Sequence, residues 1–130
     1  MLFKDAFLRA PFVSIDAEER GRAALDHILE AIARYRVAVG DLGFDELVKD
    51  FVRYHAAERF VEIISEASRR LPRPWKNDFP EIPWADVASI GNVLRHNYSI
   101  VDHLVIYGLQ HDPFGELERV VQAMKLKYGS

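Results

Sequence analysis

A short segment in the last third of the chain gathers side chains suited to chemistry on a phosphodiester. It spans residues 89–98, with the sequence SIGNVLRHNY. Asn92 and His96 lie four residues apart and would share one face of a helix, and Arg95 follows Asn92 by three. An imidazole can take a proton from a sugar hydroxyl and return one to a leaving oxygen near neutral pH. A guanidinium can stabilise charge on the phosphoryl oxygens.

A purely structural interpretation of the same residues is also open. Arg95 and His96 near a helix C-terminus would complement the helix dipole, and Tyr98 could simply pack against the core. Spacing alone favours this structural interpretation over the chemical one.

The other histidines carry weaker signals. His27 precedes Glu30 by three residues, a metal-ligand spacing, but two ligands are too few and no second pair appears, so we predict no metal site. His55 is predicted to be a partly buried, hydrogen-bonded helix residue, and His103 and His111 to be surface or capping residues. The sequence also lacks a phosphate-binding glycine loop, a His-Glu-x-x-His pair and a Gly-x-Ser-x-Gly turn.

Length and composition describe one soluble globular domain over residues 1–130. The chain has 130 residues, 49% hydrophobic and 28% charged, with a formal net charge of −3 and no cysteine. The missing cysteines exclude disulfides and thiolate chemistry, and no cofactor is implied. The acidic balance argues against a DNA-coating protein, although a local basic patch would be compatible with it. No signal peptide or membrane-spanning stretch is recognised, so we expect no membrane association and a cytoplasmic protein.

The elements that must position these residues are helical throughout, because no alternating strand pattern of useful length is present. The fold class predicted is all-α, an up-and-down helical bundle of four to five helices. A first helix begins after an Asp16 N-cap. The others are predicted to run from residue 44 to about 71, from 83 to about 95 or 96, from about 101 to 109, and onward from the break at residues 111–113.

Two stretches fall outside these helices. Pro72, Pro74, Pro80 and Pro83 bracket residues that we predict cannot continue a helix, forming a structured connector. Residues 1–15 form an N-terminal extension whose first twelve residues hold too many large apolar side chains for a free tail. We expect these twelve residues to form a short helix packed on the bundle or on a second subunit.

The chain resembles the HepT-like toxins of the HEPN superfamily. The resemblance rests on residues 25–32 (LDHILEAI), 62–67 (EIISEA), 80–84 (PEIPW) and above all 92–98 (NVLRHNY) followed by Val101 and Asp102. These matches occur in the same order and spacing over most of the chain.

The resemblance implies a metal-independent ribonuclease built as a helical homodimer, in which an Arg-x4-His-x-Tyr motif from both subunits lines one cleft. His96 would be the general acid or base in attack of a ribose 2′-hydroxyl on the adjacent phosphate, and Asn92 would take the polar position after the motif arginine. Tyr98 matches the tyrosine to which the partner, a minimal nucleotidyltransferase antitoxin, attaches AMP. The added bulk and negative charge would repel RNA.

One position departs from the family pattern. The motif arginine, five residues before the histidine, is Gly91 here. Arg95 could supply the missing charge, and Arg53 or Arg59 are further candidates. Three outcomes therefore remain open: a nuclease that uses Arg95, a weak or inactive homologue that binds its partner, and a nuclease with an altered substrate.

Overall fold

The computed structural model describes residues 16–96 and 100–129, with only the backbone described at residues 95, 96, 100 and 101. The expectations for the first twelve residues and for Tyr98 lie outside the described residues. Within the described ranges the chain forms seven α-helices and no strand, which confirms the all-α fold class. The helices are α1 (Ala17–Val39), α2 (Phe44–Lys49), α3 (Phe51–Arg69), α4 (Arg73–Asn77), α5 (Trp84–His96), α6 (Ile100–Gly108) and α7 (Asp112–Tyr128).

The long helices α1, α3 and α7 form the centre of the bundle. Helices α1 and α7 run antiparallel, since Arg36 pairs with Glu118 at 2.6 Å while Asp26, earlier in α1, pairs with Lys125 at 2.7 Å. The core between the helices is apolar, and its largest fully buried side chains include Tyr35, Leu25, Ile28, Ile32, Leu47, Ile64, Ile106 and Met124. None of the helices in the described ranges has both the length and the apolar character needed to cross a membrane.

The start of α1 agrees with its sequence signal. Asp16 has an extended backbone conformation, and its Oδ1 accepts a hydrogen bond from the Glu19 amide at 2.8 Å. This bond satisfies one of the amides that a helix N-terminus leaves without a partner.

The single helix predicted from residue 44 to about 71 is wrong, because the structure divides it at Asp50. The Asp50 backbone leaves the helical conformation and ends α2, while its carboxylate accepts a hydrogen bond from the Arg53 amide at 3.1 Å and begins α3. One aspartate therefore serves both helices. The apolar spacing continues across this break, which is why periodicity alone joins the two.

The connector between the prolines interrupts the preceding helix as predicted, but it also contains a short helix, α4, which the sequence did not predict. Pro72 is the N-cap and Pro74 lies in the first turn, where the missing amide donor costs nothing. Trp75 anchors this short helix, since its ring stacks on Tyr128 at 4.5 Å with an interplanar angle of 3°. These two corrections account for seven helices where four to five were predicted.

The remaining helices agree with the predicted bounds to within two residues. Helix α5 follows Pro83 and ends at His96, and α7 begins after His111, whose side chain makes no capping bond. Helix α6 is held by two tyrosines: the Tyr35 hydroxyl donates to the Ile106 carbonyl, and the Tyr107 hydroxyl donates to the Leu42 carbonyl at 3.1 Å. Burial raises the pKa of Tyr35 well above its ordinary value, so this hydroxyl remains a donor.

Candidate active site

The orientation of α5 is fixed where Gly91 lies against α3. The Gly91 amide donates to Ser65 Oγ at 3.3 Å, and Ser65 Oγ donates to the Ala88 carbonyl at 2.8 Å. A Cβ atom at residue 91 would lie 3.0 Å from Ser65 Oγ and 3.1 Å from Ser65 Cβ, closer than most such contacts in proteins. Gly91 and the small Ser65 therefore allow the two helices to approach closely, and this contact sets which side of α5 faces outward.

The outward side of α5 carries Asn92, one of the residues of the predicted site. Ser89 and Asn92 are exposed. Val93, the residue after Asn92, is 51% exposed, whereas Leu94 is buried. The Asn92 side chain is thus accessible from solvent.

The backbone of α5 continues through Arg95 and His96 as its last two residues. His96 follows Asn92 by four residues, so their Cα atoms lie on the same side of the helix, one turn apart. The side chains of Arg95 and His96, and the whole of Tyr98, lie outside the described part of the chain. Asn92 and the Cα of His96 are therefore brought together, and the role of Tyr98 stays a prediction.

Helical geometry relates Arg95 closely to the position of the missing motif arginine. Arg95 is one residue before His96 and Gly91 is five before it, so around the helix axis the two positions are separated by only about 40°. Along the axis they are about 6 Å apart. Arg95 is therefore on the same side of α5 as Gly91, one turn nearer to the end of the helix.

The two other candidate arginines have partners elsewhere. Arg53 Nε donates to the Ala38 carbonyl at 2.8 Å, so Arg53 satisfies the C-terminal end of α1. Arg59 pairs with Glu62 at 3.2 Å on the exposed side of α3. Of the three cations considered from the sequence, Arg95 alone belongs to α5.

Two of the histidine predictions need correction. His55 does bond to Glu58, with 3.2 Å between Nδ1 and Oε1, but its side chain is 55% exposed and not partly buried, because it points away from α1. His103 is neither a surface nor a capping residue: its ring packs edge-on against Tyr54 at 4.9 Å and its Nδ1 is buried without a hydrogen-bond partner. His111 is exposed, as predicted.

His27 and Glu30 lie at a shallow cleft between α1 and α3 that is rich in arginine. The lining includes Arg34 and Arg59, and Arg34 pairs with Glu30. In the described ranges no three His, Asp or Glu side chains come together in a group that could hold a metal ion.

Large apolar side chains are exposed on α3 and α6, the two helices that meet through Tyr54 and His103. Phe51 and Val52 at the start of α3 are 70% and 65% exposed, and Leu104 on α6 is 55% exposed. We call these three residues the α3/α6 apolar face. Behind it Tyr54 is buried; burial above all, and then the nearby Glu58 and Asp102 carboxylates, raise its pKa to about 12.

Sequence reasoning missed Ser65 as the residue that positions α5. Ser65 is 1% exposed and contacts both Gly91 and the Ala88 carbonyl. The available signal was a pair of small residues, Ser65 in one predicted helix and Gly91 in the next, which is typical of a close helix crossing.

Comparison with known proteins agrees with this architecture. The family model described as ribonuclease HepT-like matches residues 28–124. An inferred RNase of Caldanaerobacter subterraneus subsp. tengcongensis is 31% identical over 106 residues, which cover 82% of this chain and 95% of the relative. An inferred RNase of Methanocaldococcus jannaschii is 33% identical over 106 residues, 78% of this chain and 87% of that one.

A third relative bears the family's name. It is an inferred ribonuclease HepT of Thermococcus cleftensis, 35% identical over 83 residues, which cover 64% of this chain and 76% of the relative. No solved structure matches the chain significantly. The helical bundle is thus that of a HEPN-type domain. The chain belongs to the HepT-like ribonuclease family of the HEPN superfamily.

Proposed function

We propose that this protein is the ribonuclease toxin of a type VII-like toxin–antitoxin pair. The observation that carries the proposal is the end of α5, where an exposed Asn92 lies one turn from His96 within a chain that belongs to the HepT-like family. The substrate is RNA, and the cleavage is independent of a metal ion.

The reaction is attack of a ribose 2′-oxygen on the adjacent phosphorus. His96 accepts the 2′-hydroxyl proton as the O2′–P bond forms, and the P–O5′ bond breaks to leave a 2′,3′-cyclic phosphate. The leaving O5′ gains a proton from the protonated imidazole or from the second subunit's copy of His96. Arg95 and the Asn92 amide stabilise the phosphoryl oxygens as their charge increases.

The active unit is a homodimer in which two α5 ends face one cleft. The α3/α6 apolar face supports this proposal, because large apolar side chains exposed on two neighbouring helices are what an interaction surface would bury. Pairing two copies also brings two Arg95 residues to one cleft. Because each chain has a net charge of −3, this local concentration supplies positive charge that a monomer lacks.

The partner is a nucleotidyltransferase antitoxin that adenylylates Tyr98. Tyr98 follows His96 by two residues, so an AMP group there adds bulk and negative charge beside the proposed phosphate site. A second candidate function is a weak or inactive homologue that only binds the nucleotidyltransferase. Gly91 favours it, because this residue replaces the motif arginine and its surroundings leave little room for a side chain.

The arginine substitution separates these two functions. In a chelator-containing buffer, purified wild type should cleave RNA, and Arg95→Ala should cleave it about 100-fold more slowly, because one preorganised charge contact of this kind is worth about two to three orders of magnitude. Arg73→Ala, at an exposed arginine of α4, is the matched control and should behave as wild type. Absence of cleavage by wild type, with intact binding of the nucleotidyltransferase, would instead establish the binding module.

Intact-mass measurement tests the modification of Tyr98. After co-expression with the nucleotidyltransferase encoded beside it, the protein should gain the mass of one or more AMP units and lose its RNA cleavage. The Tyr98→Phe variant should gain no AMP, whereas Tyr128→Phe, at a tyrosine 30 residues further along the sequence, should be modified like wild type. Equal AMP incorporation into Tyr98→Phe would contradict the assignment.

A further inference from the structure

A groove with an apolar floor lies at the opposite end of α5 from the proposed catalytic residues. Its volume is about 420 Å³, within the range of ligand-binding clefts. It is formed where the first half of α5 meets α3 and the start of α7. The floor consists of Ile82, Val87, Ile90, Leu109, Phe114 and Leu117.

The rim of this groove is acidic. Glu81, Asp86, Asp112 and Glu116 all line it. Arg119 is shared between Glu81 at 3.7 Å and Glu116 at 3.0 Å, while Asp86 and Asp112 form no ion pair with any residue in the described ranges. An occupant that joins apolar side chains to positive charge would therefore complement both the floor and the rim.

The first twelve residues of the chain have this composition. Their sequence is MLFKDAFLRAPF, with five large apolar side chains, Leu2, Phe3, Phe7, Leu8 and Phe12, beside Lys4 and Arg9 and a single acid, Asp5. Phe3 and Phe7 are four residues apart, as are Leu8 and Phe12, which is the spacing that places apolar side chains on one side of a helix.

The length of the N-terminal segment suffices to reach the groove of the same chain. The groove is level with Tyr35 of α1, because the Tyr35 and Phe114 rings are in contact at 4.7 Å. Tyr35 lies 18 residues after the start of α1 at Ala17, a rise of about 27 Å. The 15 residues before Asp16 can extend to about 50 Å.

We propose that residues 1–8 dock in this acidic-rimmed groove of their own bundle, with residues 9–15 as the linker, which can extend to about 25 Å. Leu2, Phe3, Phe7 and Leu8 cover the floor, and Lys4 approaches the rim. Attachment through a short linker raises the local concentration of the segment, which favours its own groove over that of another copy. This inference does not depend on the proposed nuclease activity.

The absence of cysteine allows a direct test by cross-linking. The full-length Lys4→Cys/Asp112→Cys variant is treated with a short bis-maleimide reagent, and the products are separated by denaturing electrophoresis and mass spectrometry. Asp112 is on the rim and exposed, so its substitution leaves the core intact. We expect an intramolecular cross-link that forms at least tenfold faster than in Lys4→Cys/Leu126→Cys.

Leu126 is a demanding control. It is 90% exposed and lies on α7 two residues before Tyr128, whose ring stacks on Trp75. Trp75 in turn lies against Gly21 near the start of α1, so an undocked segment would meet residue 126 sooner than residue 112. Equal or faster cross-linking to residue 126 would overturn the proposal.

Two further results complete the test. Adding Phe3→Ser and Phe7→Ser to the Lys4→Cys/Asp112→Cys variant should reduce the rate of cross-linking to that of the Leu126 control, and an unchanged rate would refute apolar docking. When the two single-cysteine variants are mixed, we expect no cross-linked dimer; efficient dimer formation would show that the segment occupies a second copy, contrary to the proposal.

Discussion

Replacing His96 by alanine should lower the kcat/KM for RNA cleavage by about 100- to 10,000-fold, the range over which a positioned general acid or base contributes. The physical reason is that no other imidazole lies on α5, and Asn92 and Arg95 cannot accept a proton from a hydroxyl near neutral pH. The measurement is initial cleavage rate in a chelator-containing buffer, with the urea unfolding midpoint recorded for each variant.

His111→Ala is the matched control for this substitution. His111 is exposed, precedes α7 and makes no side-chain capping bond, so its loss should leave both activity and stability close to wild type. Cleavage by His96→Ala at the wild-type rate would remove His96 from the mechanism, and equal losses in the two variants would point to a general effect of removing histidine.

Restoring the family arginine by Gly91→Arg should destabilise the protein by roughly 1–3 kcal/mol, the usual cost of inserting a side chain into a well-packed contact. The new Cβ would lie 3.0 Å from Ser65 Oγ, and the amide of residue 91 would have to move away from that hydroxyl. The gain from replacing a helical glycine, about 1 kcal/mol, offsets only part of this cost. Urea unfolding measures the free energy of unfolding.

Ser89→Arg on the exposed side of the same helix is the control, and we expect it to change stability by less than about 0.5 kcal/mol. The double variant Gly91→Arg/Ser65→Gly, which removes the opposing side chain, should recover part of the loss. A Gly91→Arg variant as stable as wild type would contradict the conclusion that the close contact between α3 and α5 requires glycine at residue 91.

The sequence contains most of the information needed for the fold. Local signals were sufficient for Asp16, Pro83 and the break at residues 111–113, because caps and prolines act within a few residues. The break at Asp50 was missed because the apolar spacing runs across it. Helix α4 was missed because Pro72 and Pro74 suit a helix start as well as a break, and the Trp75 stacking on Tyr128 that stabilises it joins residues 53 positions apart.

The candidate site was predicted in part. Helical spacing predicted that Asn92 and His96 share one side of a helix, and α5 does contain both residues one turn apart. That residue 91 faces Ser65 could not be known from spacing, because it depends on how far α5 is rotated about its axis when it packs on α3. The exposure of Phe51 was not predicted, because apolar residues at helical spacing give the same sequence pattern whether they face a core or an interaction surface.

The attachment of α6 has a consequence for how this protein can diverge. Both tyrosines that hold it donate to main-chain carbonyls, those of Ile106 and Leu42, and any residue at those positions would offer the same acceptor. The outward residues of α6, Leu104 and Val105, take no part in these bonds. Substitutions there can therefore alter the surface of the proposed homodimer while α6 stays in place, a route by which duplicated copies in one cell could come to pair only with themselves.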